Sequence, residues 1–217
     1  MRLHVSCTTN TEKIPRYYKP KLKGTLHKWL GNYQSHDGKY STYSISNIDG
    51  IKFNGDFGTA KKSGLKFFIS SIDKEFIKKI ILGIKKDNTM FSGITVDQVS
   101  VEADPVFDKK IEHFFVDSPV LVKRDNKYFF AGDKKADEYM TDLMNKKLKA
   151  AGYDDEVQIM FDPHYKKSST TEVKYRDIRN ICSICPVYIK GTPEAIAFAW
   201  NVGIGNSTGI GLGAISK

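Results

Sequence analysis

Val202-Gly203-Ile204-Gly205-Asn206-Ser207-Thr208-Gly209-Ile210-Gly211-Leu212-Gly213 places five glycines within eleven residues. Such a run costs backbone entropy, so it persists where positive φ or close backbone approach requires it. The regular apolar spacers Ile204, Ile210 and Leu212 argue against a flexible tail. A dinucleotide fingerprint would need a strand before the run and a helix after it. Here a helix precedes it. Thr192-Pro193-Glu194 supplies a cap, a proline at the first helical position and an acid in the first turn, and the helix runs to about Asn201. No Gly-Lys-Ser/Thr follows, which removes a Walker loop. The run reads as a tight loop leading into a final strand, with amides able to cradle phosphates.

Working outward, the second half supplies a strand over Phe114–Val122 and a helix from an Asp133 cap to Ala151. Tyr139, Met140, Leu143, Met144 and Leu148 form the buried face of that helix, and Gly152 stops it. Val157–Phe161 and Val173–Ile189 supply strands. The first half has the same order. Arg2–Cys7 alternates with period two, and Pro20–Asn32 repeats Leu22, Leu26, Trp29 and Leu30 at helical spacing. Tyr43–Ile48 and Leu65–Ser70 are strands, and Asp73 caps an amphipathic helix carrying Phe76, Ile77, Ile80, Ile81 and Ile84. Thr95–Glu102 closes the unit. Two β-α-β-β-α-β units in succession predict an α+β protein of two tandem ferredoxin-like domains, residues 1–106 and 107–217, joined at about Asp104–Lys110.

The 217 residues are 27% charged with a net charge of +9. Positions 1–39 hold eight basic and two acidic residues, and positions 164–190 hold six and two, whereas 105–163 is slightly acidic. Basicity clustered in two stretches suits a polyanionic partner; a lysine-rich proteome would give basic surfaces for no specific reason. No apolar run reaches the ~18 residues of a membrane span. The N-terminus carries no hydrophobic signal core, and three cysteines build no disulfide framework, which fits a reducing cytoplasm. Cys182-Ser-Ile-Cys185 has no second pair of ligands, so it reads as two buried small hydrophobes rather than a zinc site.

Gly203-Ile204-Gly205 and Gly211-Leu212-Gly213 meet the pattern Gly-h-Gly-x5-Gly-h-Gly, where h is hydrophobic. The chain thereby resembles the CRISPR-associated repeat-RNA endoribonucleases of the RAMP superfamily, the Cas-six type. Gly191–Trp200 looks like that family's final helix, Phe115–Val120 like its second-domain opening strand and Arg2–Ser6 like its first strand. The resemblance implies two ferredoxin-like domains and no cofactor or metal. Its partner would be CRISPR repeat RNA in the precursor transcript, with room for effector-complex subunits and a homodimer, and no membrane. It also implies that Gly203, Gly205, Gly211 and Gly213 belong to an RNA-binding loop. His36 falls in a polar loop after the first helix, where the family places its catalytic histidine. Lys39 falls near the catalytic lysine, at a compressed spacing. His27 aligns with a second proton carrier.

Metal-free RNA cleavage needs a base for the 2′-OH, an acid for the 5′-oxygen and a cation for the phosphorane. His4 faces away from Leu3 and Val5 and reads as structural, while His113 and His164 read as solvated surface. Asp154, Asp155 and Glu156 are adjacent, so a strand would splay them, and no carboxylate pair has the spacing of a two-metal site. Lys174, Arg176 and Arg179 flank Tyr175, a combination that holds phosphates and stacks a base, as an exposed lysine-rich hairpin also would. Two other readings stay open. One is a RAMP or RRM-like subunit that holds RNA without cutting it, and the other is an enzyme that binds a phosphate ligand in the glycine-rich loop.

Overall fold

The structure, a computed structural model, describes residues 1–33 and 40–217. In the first half, β1 (Arg2–Cys7) is followed by β2 (Ile14–Pro15), α1 (Lys19–Leu30), β3 (Tyr43–Ile45) and the hairpin β4 (Ile51–Asn54) with β5 (Phe57–Ala60). Then come β6 (Leu65–Ser71), α2 (Lys74–Lys86) and β7 (Val96–Glu102). An antiparallel sheet in the order β3-β6-β1-β7 buries Leu3, Val5, Phe67 and Ile69 under α1 and α2. Asp73 caps α2 as its position predicts, its carboxylate accepting from Phe76 N at 3.1 Å. The segment expected as a plain connection between the second and third strands instead folds, with β2, into a three-stranded sheet, β2-β5-β4.

In the second half, β8 (Ile111–Val116) leads through the two-residue strands β9 (Lys123–Arg124) and β10 (Lys127–Tyr128) to α3 (Lys134–Ala150). After it come β11 (Val157–Phe161), β12 (Ser169–Tyr175), β13 (Ile178–Ile184), β14 (Val187–Gly191), α4 (Pro193–Val202) and β15 (Ile215–Ser216). The sheet order β11-β14-β8-β15 repeats that of the first half, the two edge strands flanking a central pair. Three local expectations change. Strand β8 stops at Val116 rather than Val122. The run 173–189 breaks into β13, paired with β12 in a hairpin that turns at Arg176-Asp177, and β14, which pairs instead with β11 and β8. The Asp133 carboxylate turns back to Phe130 N at 3.0 Å instead of capping α3.

Helix α4 is buried on most of its circumference because it lies between two layers. One side packs in the second core with Phe114, Val187 and Ile189, and the other meets the outer face of the first sheet. That face carries the small buried residues Ser44 and Ser70, and Ser44 Oγ donates to Asn201 O at 3.1 Å. Arg2 locks the junction. Its guanidinium lies between Phe68 and Trp200, 3.8 and 3.6 Å from the ring centroids, and donates to Ser70 Oγ and Ile215 O. Desolvation lowers its pKa to about 10, which leaves it charged at neutral pH.

Candidate active-site cleft

A cleft of about 1130 Å³ opens between the C-terminal half of α1, β3, α3 and the segment Gly205–Ile210. Helix α1 buries Leu22, Leu26 and Trp29 in the first core, and the Trp29 indole donates to Asp87 O at 2.9 Å. With that face fixed, the helical period turns Lys23 and His27, four residues apart, toward the cleft. His27 is exposed. Desolvation and, secondly, the charge of Lys23 push its pKa below the ordinary histidine value, which favours the neutral, proton-accepting ring.

The Lys23 ammonium donates to the Tyr43 hydroxyl, and burial lowers the lysine to about 8. Burial pushes Tyr43 up to about 12, so it stays a hydroxyl and donates to Gly209 O at 3.2 Å. Its ring stacks on Phe76 with centroids 4.6 Å apart. Tyr33 also lines the cleft, its hydroxyl donating to Asp73 Oδ2 at 2.7 Å. That hydrogen bond, ahead of burial, raises the phenol to about 12.

The opposite wall is cationic. Lys123, Arg124 and Lys146 line it, and the Asp142 carboxylate accepts from Lys146 Nζ at 2.7 Å and Arg124 Nη1 at 3.3 Å. Arg124 also lies over the Tyr139 ring at 4.8 Å. A smaller hollow of about 280 Å³ shares Lys123, Asn206, Ser207 and Ile210 with the cleft and adds Tyr175 and Ile178. The cleft therefore continues to the β12–β13 hairpin.

The glycine run forms the floor between the walls. Gly203, Gly205, Gly211 and Gly213 all have positive φ. A Cβ on Gly213 would stand 1.9 Å from Ile204 O, and one on Gly205 would stand 2.5 Å from Leu121 O. Ile204 N donates to Gly213 O and Asn206 N to Leu121 O, which fastens both ends of the loop. Gly205 lines the cleft, whereas Gly203, Gly211 and Gly213 are buried behind it; these three hold the loop from within. Two buried lysines pin it further. Lys19 Nζ donates to Gly211 O at 2.6 Å and Asn47 Oδ1 at 2.7 Å, and Lys147 Nζ reaches Gly205 O at 3.5 Å.

Of the predicted proton carriers, the structure places His27 in the cleft. His36 and Lys39 lie outside the described residues, between Tyr33 and Tyr40 in the sequence. Tyr40 lines the cleft as Tyr33 does. On the hairpin, Lys174 pairs with Arg179 and Tyr175 with Ile178, so the pleat turns the two cations to the face opposite the hollow. Arg176 sits at the turn with φ 55°, its guanidinium 5.8 Å from the Tyr175 ring centroid, and Arg179 approaches Glu172 at 3.6 Å. His4 meets Glu102 Oε2 at 2.7 Å on the outer sheet face, and His164 is exposed. His113 departs from the solvated reading: it is half-buried, 3.2 Å from Asp162 Oδ2, with its ring 4.7 Å from that of Tyr188. Cys182 and Cys185 are both buried, and burial raises their thiols. Sequence reasoning missed Lys23, Tyr43, Lys123, Arg124 and Lys146. Only Lys23 left a trace, as a cation one helical turn before His27.

Among the described residues no group of three or more His, Cys, Asp or Glu side chains converges as a metal site requires, and no helix is long and apolar enough to cross a membrane. Two sheets of identical order, each with its own pair of helices, define a protein of two ferredoxin-like units. The family described as "CRISPR associated protein Cas6, C-terminal" matches residues 102–216, and the chain belongs to the Cas6 family. Solved structures agree in fold. The product of a Cas6-related gene from Pyrococcus furiosus superimposes with a TM-score of 0.83 at 19% identity, covering 100% of this chain and 97% of that one. A RAMP protein binding different RNA substrates gives 0.83 at 18% identity, with 100% and 98% covered. A Cas6 product complex gives 0.70 at 11% identity, with 99% and 98% covered. No curated protein matches the sequence.

Proposed function

We propose that the protein is a metal-independent endoribonuclease that binds CRISPR repeat RNA in the cleft and cuts the precursor within each repeat. The observation that carries this reading is the pairing of walls across one cleft. A histidine held toward its neutral form faces a bank of cations, with no carboxylate cluster between them among the described residues. The 2′-OH beside the scissile bond attacks phosphorus, the P–O5′ bond breaks, and the products carry a 2′,3′-cyclic phosphate and a 5′-OH. His27 and His36 serve as base and acid, and Lys39 adds positive charge near the phosphate. At the hairpin turn Arg176 extends the phosphate track beyond the cleft, and Lys174 and Arg179 hold RNA that wraps onto the hairpin's other face.

The test is incubation of the protein with repeat RNA from its own locus in EDTA. Cleavage to cyclic-phosphate ends supports the nuclease. Tight binding without product replaces it with a non-catalytic RNA-binding subunit, and cleavage that requires a divalent ion overturns the mechanism.

A further inference from the structure

Three lysines, Lys19, Lys23 and Lys147, are each lowered to about 8 by burial, and they are not equivalent. Lys19 spends its donors on Gly211 O and Asn47 Oδ1 behind the loop, and Lys147 reaches Gly205 O. Lys23 lies one turn along α1 from Lys19. Its one hydrogen-bond acceptor among the described residues is the neutral Tyr43 hydroxyl, and no described carboxylate pairs with it. An ammonium has three N–H donors. Lys23 thus brings a desolvated charge and two further donors to the cleft wall, and a fixed cation out of water is worth most to an anion that arrives there.

We propose that Lys23 is a catalytic residue whose ammonium contacts the scissile phosphate and offsets the charge that grows on its non-bridging oxygens as the 2′-oxygen attacks. The assignment rests on the nuclease reading above. In this step the O2′–P bond forms and the P–O5′ bond breaks. The 2′-OH proton passes to the base, O5′ takes a proton from the acid, and Lys23 keeps its own protons throughout. Tyr43 is the positioning residue. It accepts from Lys23 and donates to Gly209 O, so the cation is held between α1 and the loop rather than swinging free as a surface lysine does. The titratable and charged groups around it are His27, Tyr33, Tyr40 and Tyr43 on its own wall, and Lys123, Arg124, Asp142, Lys146 and Lys147 opposite. Asp142 is engaged by Arg124 and Lys146 and leaves Lys23 unneutralised.

The test uses the full chain, repeat RNA and EDTA, with single-turnover rates at protein concentrations below saturation between pH 6 and 9.5, where the pH profile reports the free protein. Lys23→Met should cut about 100-fold or more slowly, with RNA affinity changed less than about threefold. Lys23→Arg should recover part of that rate. It should also lose the decline that the unaltered protein shows above about pH 8, because a guanidinium stays protonated there. A wild-type rate in Lys23→Met overturns the assignment, as does a rate loss matched by an equal affinity loss, or an alkaline decline that survives in Lys23→Arg. If Lys23→Met fails to fold in a thermal melt, the pH profile of Lys23→Arg decides alone. Failure of the unaltered protein to cleave overturns the nuclease reading and this proposal together, whereas cleavage with an indifferent Lys23 overturns only the second.

Discussion

The two walls of the cleft hold their charges in opposite ways. On the α1 side, Lys23 and His27 are partly desolvated and lack a described carboxylate partner, so their protonation responds to small changes in surroundings. On the α3 side, Arg124 and Lys146 share the Asp142 carboxylate near solvent. A desolvated, unpaired group suits proton transfer and charge stabilisation, whereas solvated, paired cations suit gripping a backbone of many phosphates. Under the proposed reading, the difference teaches a division of labour: chemistry on one wall, hold on the other.

The strongest way to break that division is to remove the proton carriers. Under the proposed reading, His36→Ala should slow single-turnover cleavage by about 100-fold or more, the usual worth of a general acid–base group, while affinity barely moves. His27→Ala should slow cleavage in the same manner. A loss of affinity as large as the loss of rate would place these residues on the gripping side instead. Next in size is the floor. Gly213→Ala puts a Cβ where Ile204 O already stands, at a φ of 63°, and should cost about 2–3 kcal/mol of stability by strain and overpacking, seen as a lowered melting temperature. An unshifted melt would show that the loop yields freely.

Smaller effects sharpen the opposite wall. Arg124→Ala and Lys146→Ala should each weaken RNA binding severalfold and reduce the slope of log affinity against log salt by about 0.7, while the rate at saturation is kept. An unchanged slope would remove α3 from the RNA path. The smallest expected effect is on stability against pH. Lys19, Lys23 and Lys147 have folded values near 8 against 10.5 ordinarily, so between those values the unfolded chain binds more protons and stability rises with pH. Cys7 and Cys182 have folded values near 12 against 9.0, and they oppose the gain as pH passes 9. Melting temperature should therefore climb from pH 8 to about 9 and then level or fall. A decline beginning at pH 8 would contradict the burial of the lysines.

Much of the scaffold is legible where a local signal and a tertiary role coincide. The alternation in Arg2–Cys7, the Asp73 cap and Thr192-Pro193-Glu194 before α4 each specify an element without outside help, and Thr192 Oγ1 indeed accepts from Ala195 N at 3.2 Å. The β2-β5-β4 sheet was illegible because its strands are two to four residues long and mostly half-exposed, too short for periodicity to register. The site is legible only in part. His27 could be singled out, but Lys23 reads as any exposed helical lysine until the fold sets it against Tyr43 in the cleft wall. Arg124 and Lys146 look like surface charge in any linear reading, because only the tertiary fold sets β9 and α3 beside the loop as one cleft wall.

The bond from Lys19 to Gly211 spans 192 positions of sequence, that from Lys23's partner Tyr43 to Gly209 spans 166, and that from Ser44 to Asn201 spans 157. The cleft is thus a joint product of the chain's two extremes, and little of it can exist before they meet. Closing loops of that length is a late and slow event in folding. Until then Lys19 has no loop carbonyl to accept its hydrogen bond, and half-made molecules have no closed cleft. Under the nuclease reading, competence to cleave arrives in one step with completion of the fold, so a partly assembled chain poses little threat to the cell's other transcripts.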